Sequence, residues 1–64
     1  MSDLGDKIKS ERLNKNLKQK ELAVRAGISI SYMSDIERGR TNPSVQTLKK
    51  ISDALNIKAS ELID

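Results

Sequence analysis

The chain has 64 residues, which is enough for one small domain that buries only about 60% of its unfolded surface. It contains no cysteine and no histidine, which excludes disulfides and thiolate metal sites and removes the usual general base. Its apolar residues are aliphatic apart from one tyrosine, and no apolar run is long enough for a membrane span. We therefore expect one helical, cytoplasmic, non-enzymatic domain over residues 1–64, with no cofactor and no metal.

Positive charge is concentrated in the first part of the chain. Lysine and arginine number 12 against 9 acidic residues, a net charge of +3. Residues 1–25 hold seven cations and four anions, which accounts for the whole excess. A basic segment favours a polyanionic partner such as nucleic acid, but a solvated lysine face explains the same charge. The charge alone does not decide between these two interpretations.

The apolar spacing predicts five helices, of which the first lies near the N-terminus. Asp3 is its expected N-cap, and its inward stripe runs from Leu4 to Arg12. The helix is expected to reach about Lys15. Asn16 tolerates the left-handed conformation and is expected to end it.

Two short helices follow, Gln19–Ala26 and Ile30–Arg38. Gly27 separates them, Ser29 is the expected N-cap of the second, and Gly39 is its left-handed stop. The predicted buried residues of the pair are Leu22, Ala23, Ala26, Met33 and Ile36. The spacing therefore indicates two helices joined by a tight glycine turn.

The last third of the chain predicts a long helix and a short one. Ser44 is placed to cap the fourth helix, and Asn56 is expected to end it. The predicted apolar stripe of this helix is Val45, Leu48, Ile51 and Leu55. A fifth helix is expected from Ala59 to Ile63, with Leu62 directed into the core.

The register of small and apolar residues in Gln19–Arg38 is typical of a helix-turn-helix. Counted from Gln19, Ala23 is the fifth residue and Gly27 the ninth. A helix-turn-helix needs a small fifth residue where its helices cross, and a glycine where its turn requires positive φ. An ordinary helical hairpin imposes no such pattern. We therefore expect a DNA-binding helix-turn-helix at Gln19–Arg38.

Three segments closely resemble the lambda-repressor-like, Cro/cI-type helix-turn-helix family, also called the XRE family. They are LKQKELA at residues 17–23, AGIS at 26–29 and SYMSDIERG at 31–39. Residues 42–62 are similar to the family's last two helices, so the resemblance covers about residues 4–63. It implies an all-α, five-helix DNA-binding domain. It also implies a small stand-alone regulator of transcription, a repressor or a protein similar to restriction-modification controllers.

The second helix of such a motif enters the major groove with its early residues facing the base edges. The predicted base contacts are Ile30, Ser31, Tyr32, Ser34 and Asp35. Ile30 can meet a thymine methyl group. Asp35 can accept a hydrogen bond from a cytosine amino group or exclude phosphate. Alternatively, it is a surface anion that stabilises the helix or pairs with a nearby arginine. Tyr32 can bond a base or a phosphate through its hydroxyl, or cover the core edge with its ring.

Phosphate contacts are expected at both ends of the motif. The helix N-terminus at Gln19 is a natural phosphate site, and the resemblance implies a phosphate contact for the Gln19 amide. Lys18 stands where a serine or threonine cap usually precedes Glu21, so the Ser/Thr-x-x-Glu capping box is expected to be broken and a phosphate to offset the loss. The predicted phosphate contacts are Lys18, Gln19, Arg38, Arg40, Thr41 and Asn42.

The resemblance also implies a structural ion pair between Arg12 and Glu37, which joins the first helix to the recognition helix.

A single helix-turn-helix reads few base pairs, so we expect a homodimer on a palindromic operator. The predicted dimer interface residues are Ile57, Ala59 and Ile63. The alternative is an antitoxin-like protein-interaction module with weak or vestigial DNA binding. Its support is the modest net charge and a base-reading surface without a cation.

Overall fold

A computed structural model describes residues 4–63, which form five helices and no strand. They are α1 (Leu4–Asn14), α2 (Gln19–Ala26), α3 (Ile30–Glu37), α4 (Val45–Leu55) and α5 (Ser60–Ile63). The all-α, five-helix fold is confirmed. The N-cap predicted at Asp3 lies outside the described residues. None of the helices within residues 4–63 is long and apolar enough to cross a membrane.

All five helices contribute to one hydrophobic core. Its largest fully enclosed apolar side chains are Ile8, Leu22, Met33, Ile36, Ile51, Leu55 and Leu62. α2 packs against α3 and α4, and α1 packs against α3 and α5. Because α1 and α2 both support α3, one face of α3 is held in the core and the other is left open.

The four longer helices end in the same way, because each is followed by a residue with positive φ. These residues are Asn16, Gly27, Gly39 and Asn56, with φ between 59° and 79°. After each one, the next residue donates its backbone N–H to the carbonyl oxygen five residues earlier, at 2.9–3.1 Å. This is the Schellman motif, which satisfies carbonyl groups that a helix end leaves free. The predicted left-handed stops are confirmed.

Three helix boundaries differ by one residue from the predicted ones. α1 ends at Asn14 and α5 begins at Ser60. α3 ends at Glu37 because Arg38 forms its C-cap, with φ −84° and ψ −5°. The N-caps predicted at Ser29 and Ser44 are confirmed, since each hydroxyl accepts a backbone N–H three residues later.

The stripe predicted for α4 is wrong at its first residue. Val45 is 84% exposed, and burial of this helix begins one turn later at Leu48. Ser52 is buried instead, where its Oγ donates to the carbonyl oxygen of Lys49 at 2.9 Å. The buried face therefore contains a serine whose hydroxyl is satisfied by its own helix. Val45 is left free on the surface.

Candidate nucleic-acid interface

The N-terminus of α2 keeps half of a capping box. Lys18 is the N-cap residue, with an extended backbone, and its ammonium group has no lone pair with which to accept an N–H. The Glu21 carboxylate nevertheless accepts the backbone N–H of Lys18 at 2.8 Å. The expectation of a broken box therefore needs correction: only the interaction that a serine or threonine would supply is missing.

A buried ion pair joins α1 to the end of α3. Arg12 Nε lies 2.8 Å from Glu37 Oε2, and Arg12 Nη2 lies 3.1 Å from Glu37 Oε1. The remaining guanidinium nitrogen, Nη1, donates to the carbonyl oxygen of Leu17 at 2.8 Å. Arg12 and Glu37 are each 8% exposed. This two-point contact fixes both the distance and the rotation of α3 relative to α1.

Gln19 extends this contact to α2. Its side-chain Nε2 donates to Glu37 Oε1 at 3.2 Å, so the carboxylate of Glu37 receives N–H groups from α1 and α2 together. The amide nitrogen carries a second N–H, which leaves one donor for a phosphate. The same hydrogen bond links the N-terminus of α2 to Glu37, the last residue of α3.

The open face of α3 carries the predicted base contacts. Ile30, at 46%, and Ser31 are exposed. The half-buried members of the set are Tyr32, Ser34 and Asp35. Tyr32 packs against the core, which leaves its hydroxyl contact with DNA as a prediction. The buried residues of the same helix are Met33, Ile36 and Glu37, so α3 separates core from surface along its length.

The segment after α3 is mostly exposed. Arg38, Arg40 and Asn42 are exposed, and Thr41 is half-buried. Arg40 Nη1 lies 3.9 Å from Asp35 Oδ1, with the two side chains 66% and 46% exposed. The structure therefore shows the arginine partner that was one of the alternatives for Asp35. A contact between Asp35 and a base stays a prediction.

A second surface lies between α4 and α5. Its apolar lining residues are Val45, Leu48, Ile57, Ala59 and Ile63. The three predicted interface residues thus share one groove, and Ile63 is 63% exposed in it. Val45 is an addition to the predicted set.

No cluster of three or more acidic side chains placed to bind a metal occurs within residues 4–63. Every buried side-chain nitrogen or oxygen in the same residues has a hydrogen-bond partner. The polar groups of the core are therefore satisfied by the protein itself.

Residues 8–62 match the helix-turn-helix family. The transcriptional regulator SlrR of Bacillus subtilis is 48% identical over 62 residues, which cover 95% of this chain and 41% of SlrR. The regulator SinR of the same organism is 44% identical, with 95% of this chain and 56% of SinR covered. The chain thus spans about half the length of these curated relatives.

Solved structures of similar fold include two regulators. The restriction-modification controller protein C.AhdI from Aeromonas hydrophila superposes with a TM-score of 0.92 at 35% identity, covering 94% of this chain and 91% of C.AhdI. SinR solved in complex with DNA gives a TM-score of 0.90 at 44% identity, covering 95% and 98% of the two chains. The family match, these likenesses and the register of Gln19–Arg38 agree. The chain belongs to the lambda-repressor-like, Cro/cI-type helix-turn-helix family.

Proposed function

We propose that this chain binds double-stranded DNA sequence-specifically through α3 and regulates transcription as a repressor or a controller protein. The observation that carries the proposal is the two-sided character of α3. Its inner side is fixed by the core and by the Glu37 contacts, while its outer side presents Ile30, Ser31, Ser34 and Asp35. The likeness to SinR, which was solved in complex with DNA, supports a DNA-binding role.

Phosphate contacts position the domain in this proposal. The N–H groups at the start of α2, with the free N–H of the Gln19 amide, receive one phosphate, and Lys18 lies beside it. Arg38, Arg40, Thr41 and Asn42 contact the backbone beyond the end of α3. The Gln19–Glu37 hydrogen bond supports this arrangement because it links the N-terminus of α2 to the end of α3. These contacts set register and affinity but carry no base preference.

The outer face of α3 recognises the bases. Ile30, which is exposed in the first turn, meets a thymine methyl group, and Ser31 and Ser34 bond base edges with little discrimination. Asp35 accepts from a cytosine amino group. The surface has no arginine, lysine, glutamine or asparagine, so its specificity depends on apolar contact and on one carboxylate.

We further propose that the chain acts as a homodimer, because two copies double the length of DNA that is read. The groove between α4 and α5 is the proposed interface, with Val45, Ile57, Ala59 and Ile63 as its apolar contacts. The exposure of Val45 and Ile63 supports this, since burying large exposed apolar side chains against a copy of the same groove is favourable.

Selection of bound sequences from random duplex tests both proposals. The unmodified chain is expected to enrich two inverted half-sites whose centres are about one helical turn, 10–10.5 base pairs, apart. Ile30→Ala is expected to lose preference for thymine at one position in each half-site while keeping the other preferences. Unchanged preferences in Ile30→Ala would refute the role of Ile30. Enrichment of single half-sites would refute the dimer.

A second candidate function is that of a protein-interaction module. The observation that favours it is the outer face of α3, whose only charged side chain, Asp35, is negative. A module of this kind has no duplex affinity at moderate salt concentration, whereas a DNA-binding domain loses affinity steeply as salt rises. Binding to duplex as a function of salt therefore separates the two functions.

A further inference from the structure

Arg40 differs from the residues that occupy the same place after the other helices. Each of the four Schellman motifs is completed by a residue that folds back onto its helix. Three of these residues are apolar and pack on the core: Leu17, Ile28 and Ile57. An apolar residue is usual there because it covers the helix end. Arg40 is instead exposed, so it does not serve the core.

The helix end itself brings Arg40 to Asp35. Gly39, with φ +79°, reverses the chain, and the backbone N–H of Arg40 then donates to the carbonyl oxygen of Asp35 at 2.9 Å. This hydrogen bond holds the two backbones together, and their side chains meet as an ion pair with Nη1 and Oδ1 3.9 Å apart. A pair this long between exposed side chains is weak and can open on contact with a ligand.

The Asp35–Arg40 pair lies on the proposed DNA-binding face, so it affects DNA binding. The acids of α3 are Asp35 and Glu37, and Glu37 is buried against Arg12. Asp35 is therefore the one carboxylate on the outer face of α3, where it would repel phosphate. Arg40 neutralises it, but while the pair is closed the arginine has less charge to offer the DNA backbone.

We propose that the Asp35–Arg40 pair determines specificity by staying closed on non-cognate duplex and opening on the cognate half-site. A cytosine amino group that reaches Asp35 replaces Arg40 as the partner of the carboxylate, and Arg40 then binds a phosphate. A site without that donor leaves the pair closed and gains no phosphate contact. This inference rests on the proposed function, because it describes how the same surface distinguishes sequences.

The test compares Asp35→Asn, Arg40→Gln and the double variant with the unmodified chain. Equilibrium affinity is measured between about 50 and 200 mM salt, on a duplex selected by the unmodified chain and on a scrambled duplex of equal length. Lys50→Gln is the matched control, since it removes an exposed cation from α4, which packs on α2. Thermal unfolding of each variant verifies that the fold is kept.

The affinity of the unmodified chain is expected to fall more steeply with salt on the selected duplex than on the scrambled one. The log–log slope is expected to be steeper by about 0.9 per subunit. Asp35→Asn is expected to abolish this difference, because its scrambled-duplex slope steepens by about 0.9 and its affinity there rises about tenfold per subunit. Arg40→Gln alone is expected to leave the salt-dependence slope on the scrambled duplex unchanged. In the double variant it is expected to remove the steeper slope and the higher affinity that Asp35→Asn produces on that duplex. Lys50→Gln is expected to have the same effect with and without Asp35.

Additive effects of Asp35→Asn and Arg40→Gln on the salt-dependence slope would overturn the inference. If Arg40→Gln lowers the scrambled-duplex slope equally with and without Asp35, Arg40 contacts phosphate on every sequence and the pair does not control it. That outcome leaves the proposed function standing, because the unmodified chain still binds its selected duplex. Failure of the unmodified chain to bind either duplex would instead contradict the proposed function and the inference together.

Discussion

Replacing Arg12 with methionine is expected to lower the free energy of unfolding by about 3–5 kcal/mol, because the buried carboxylate of Glu37 loses its two-point partner. Gln19 contributes one neutral N–H to that carboxylate and does not compensate its charge. A domain of this length has a total stability of about 3–10 kcal/mol, so the variant is expected to be unfolded or close to it. Urea denaturation followed by circular dichroism measures the loss.

Two further variants show whether the missing charge is the cause. Arg25→Met removes an exposed cation from the last turn of α2 and is expected to change stability by less than about 0.5 kcal/mol. Arg12→Met combined with Glu37→Met removes both charges and is expected to recover most of the loss, since an apolar pair of similar volume carries no desolvation penalty. A double variant as unstable as Arg12→Met would contradict this account.

Gly5→Ala is expected to lower the free energy of unfolding by about 1–3 kcal/mol, although alanine favours helices over glycine by about 1 kcal/mol. Gly5 is buried in α1, and a Cβ there would lie 2.8 Å from the carbonyl oxygen of Glu37 and closer still to that of Ile36. Both are backbone atoms at the end of α3, so α3 must move. The affinity of Gly5→Ala for duplex DNA is therefore expected to fall as well, even when it is calculated for the folded fraction alone.

Ser10→Ala is the matched control for Gly5→Ala. It introduces alanine on an exposed position of the same helix and is expected to raise stability by a few tenths of a kcal/mol. Equal or greater stability of Gly5→Ala than of the unmodified chain would show that α1 and α3 can separate without cost, contrary to the close approach described here.

Local chemistry explains why the helices could be predicted from sequence. Positive φ at Asn16 or Gly39 depends on that residue's own conformational freedom, and a serine cap depends on a backbone N–H three residues away. The register of Ala23 and Gly27 is likewise contained in a short segment. Each of these features was recognisable because it needs no knowledge of the rest of the fold.

Features that depend on how helices cross were not predictable in the same way. Val45 fits an apolar stripe, but whether the first turn of α4 reaches the core depends on how α4 lies against the other helices, and the structure leaves Val45 exposed. The contact between Gln19 and Glu37 depends on the angle between α2 and α3. The close approach at Gly5 requires the separation of α1 and α3 in three dimensions. Periodicity along one helix contains none of this information.

Binding of the unmodified chain to double-stranded DNA across a series of salt concentrations is the decisive measurement for the proposed DNA-binding function. We expect measurable affinity at about 50 mM salt. The logarithm of the affinity is expected to fall linearly with that of the salt concentration, with a slope of about −4 to −5 for two subunits that each neutralise two or three phosphates. Absence of duplex binding at about 50 mM salt would contradict the proposed DNA-binding function.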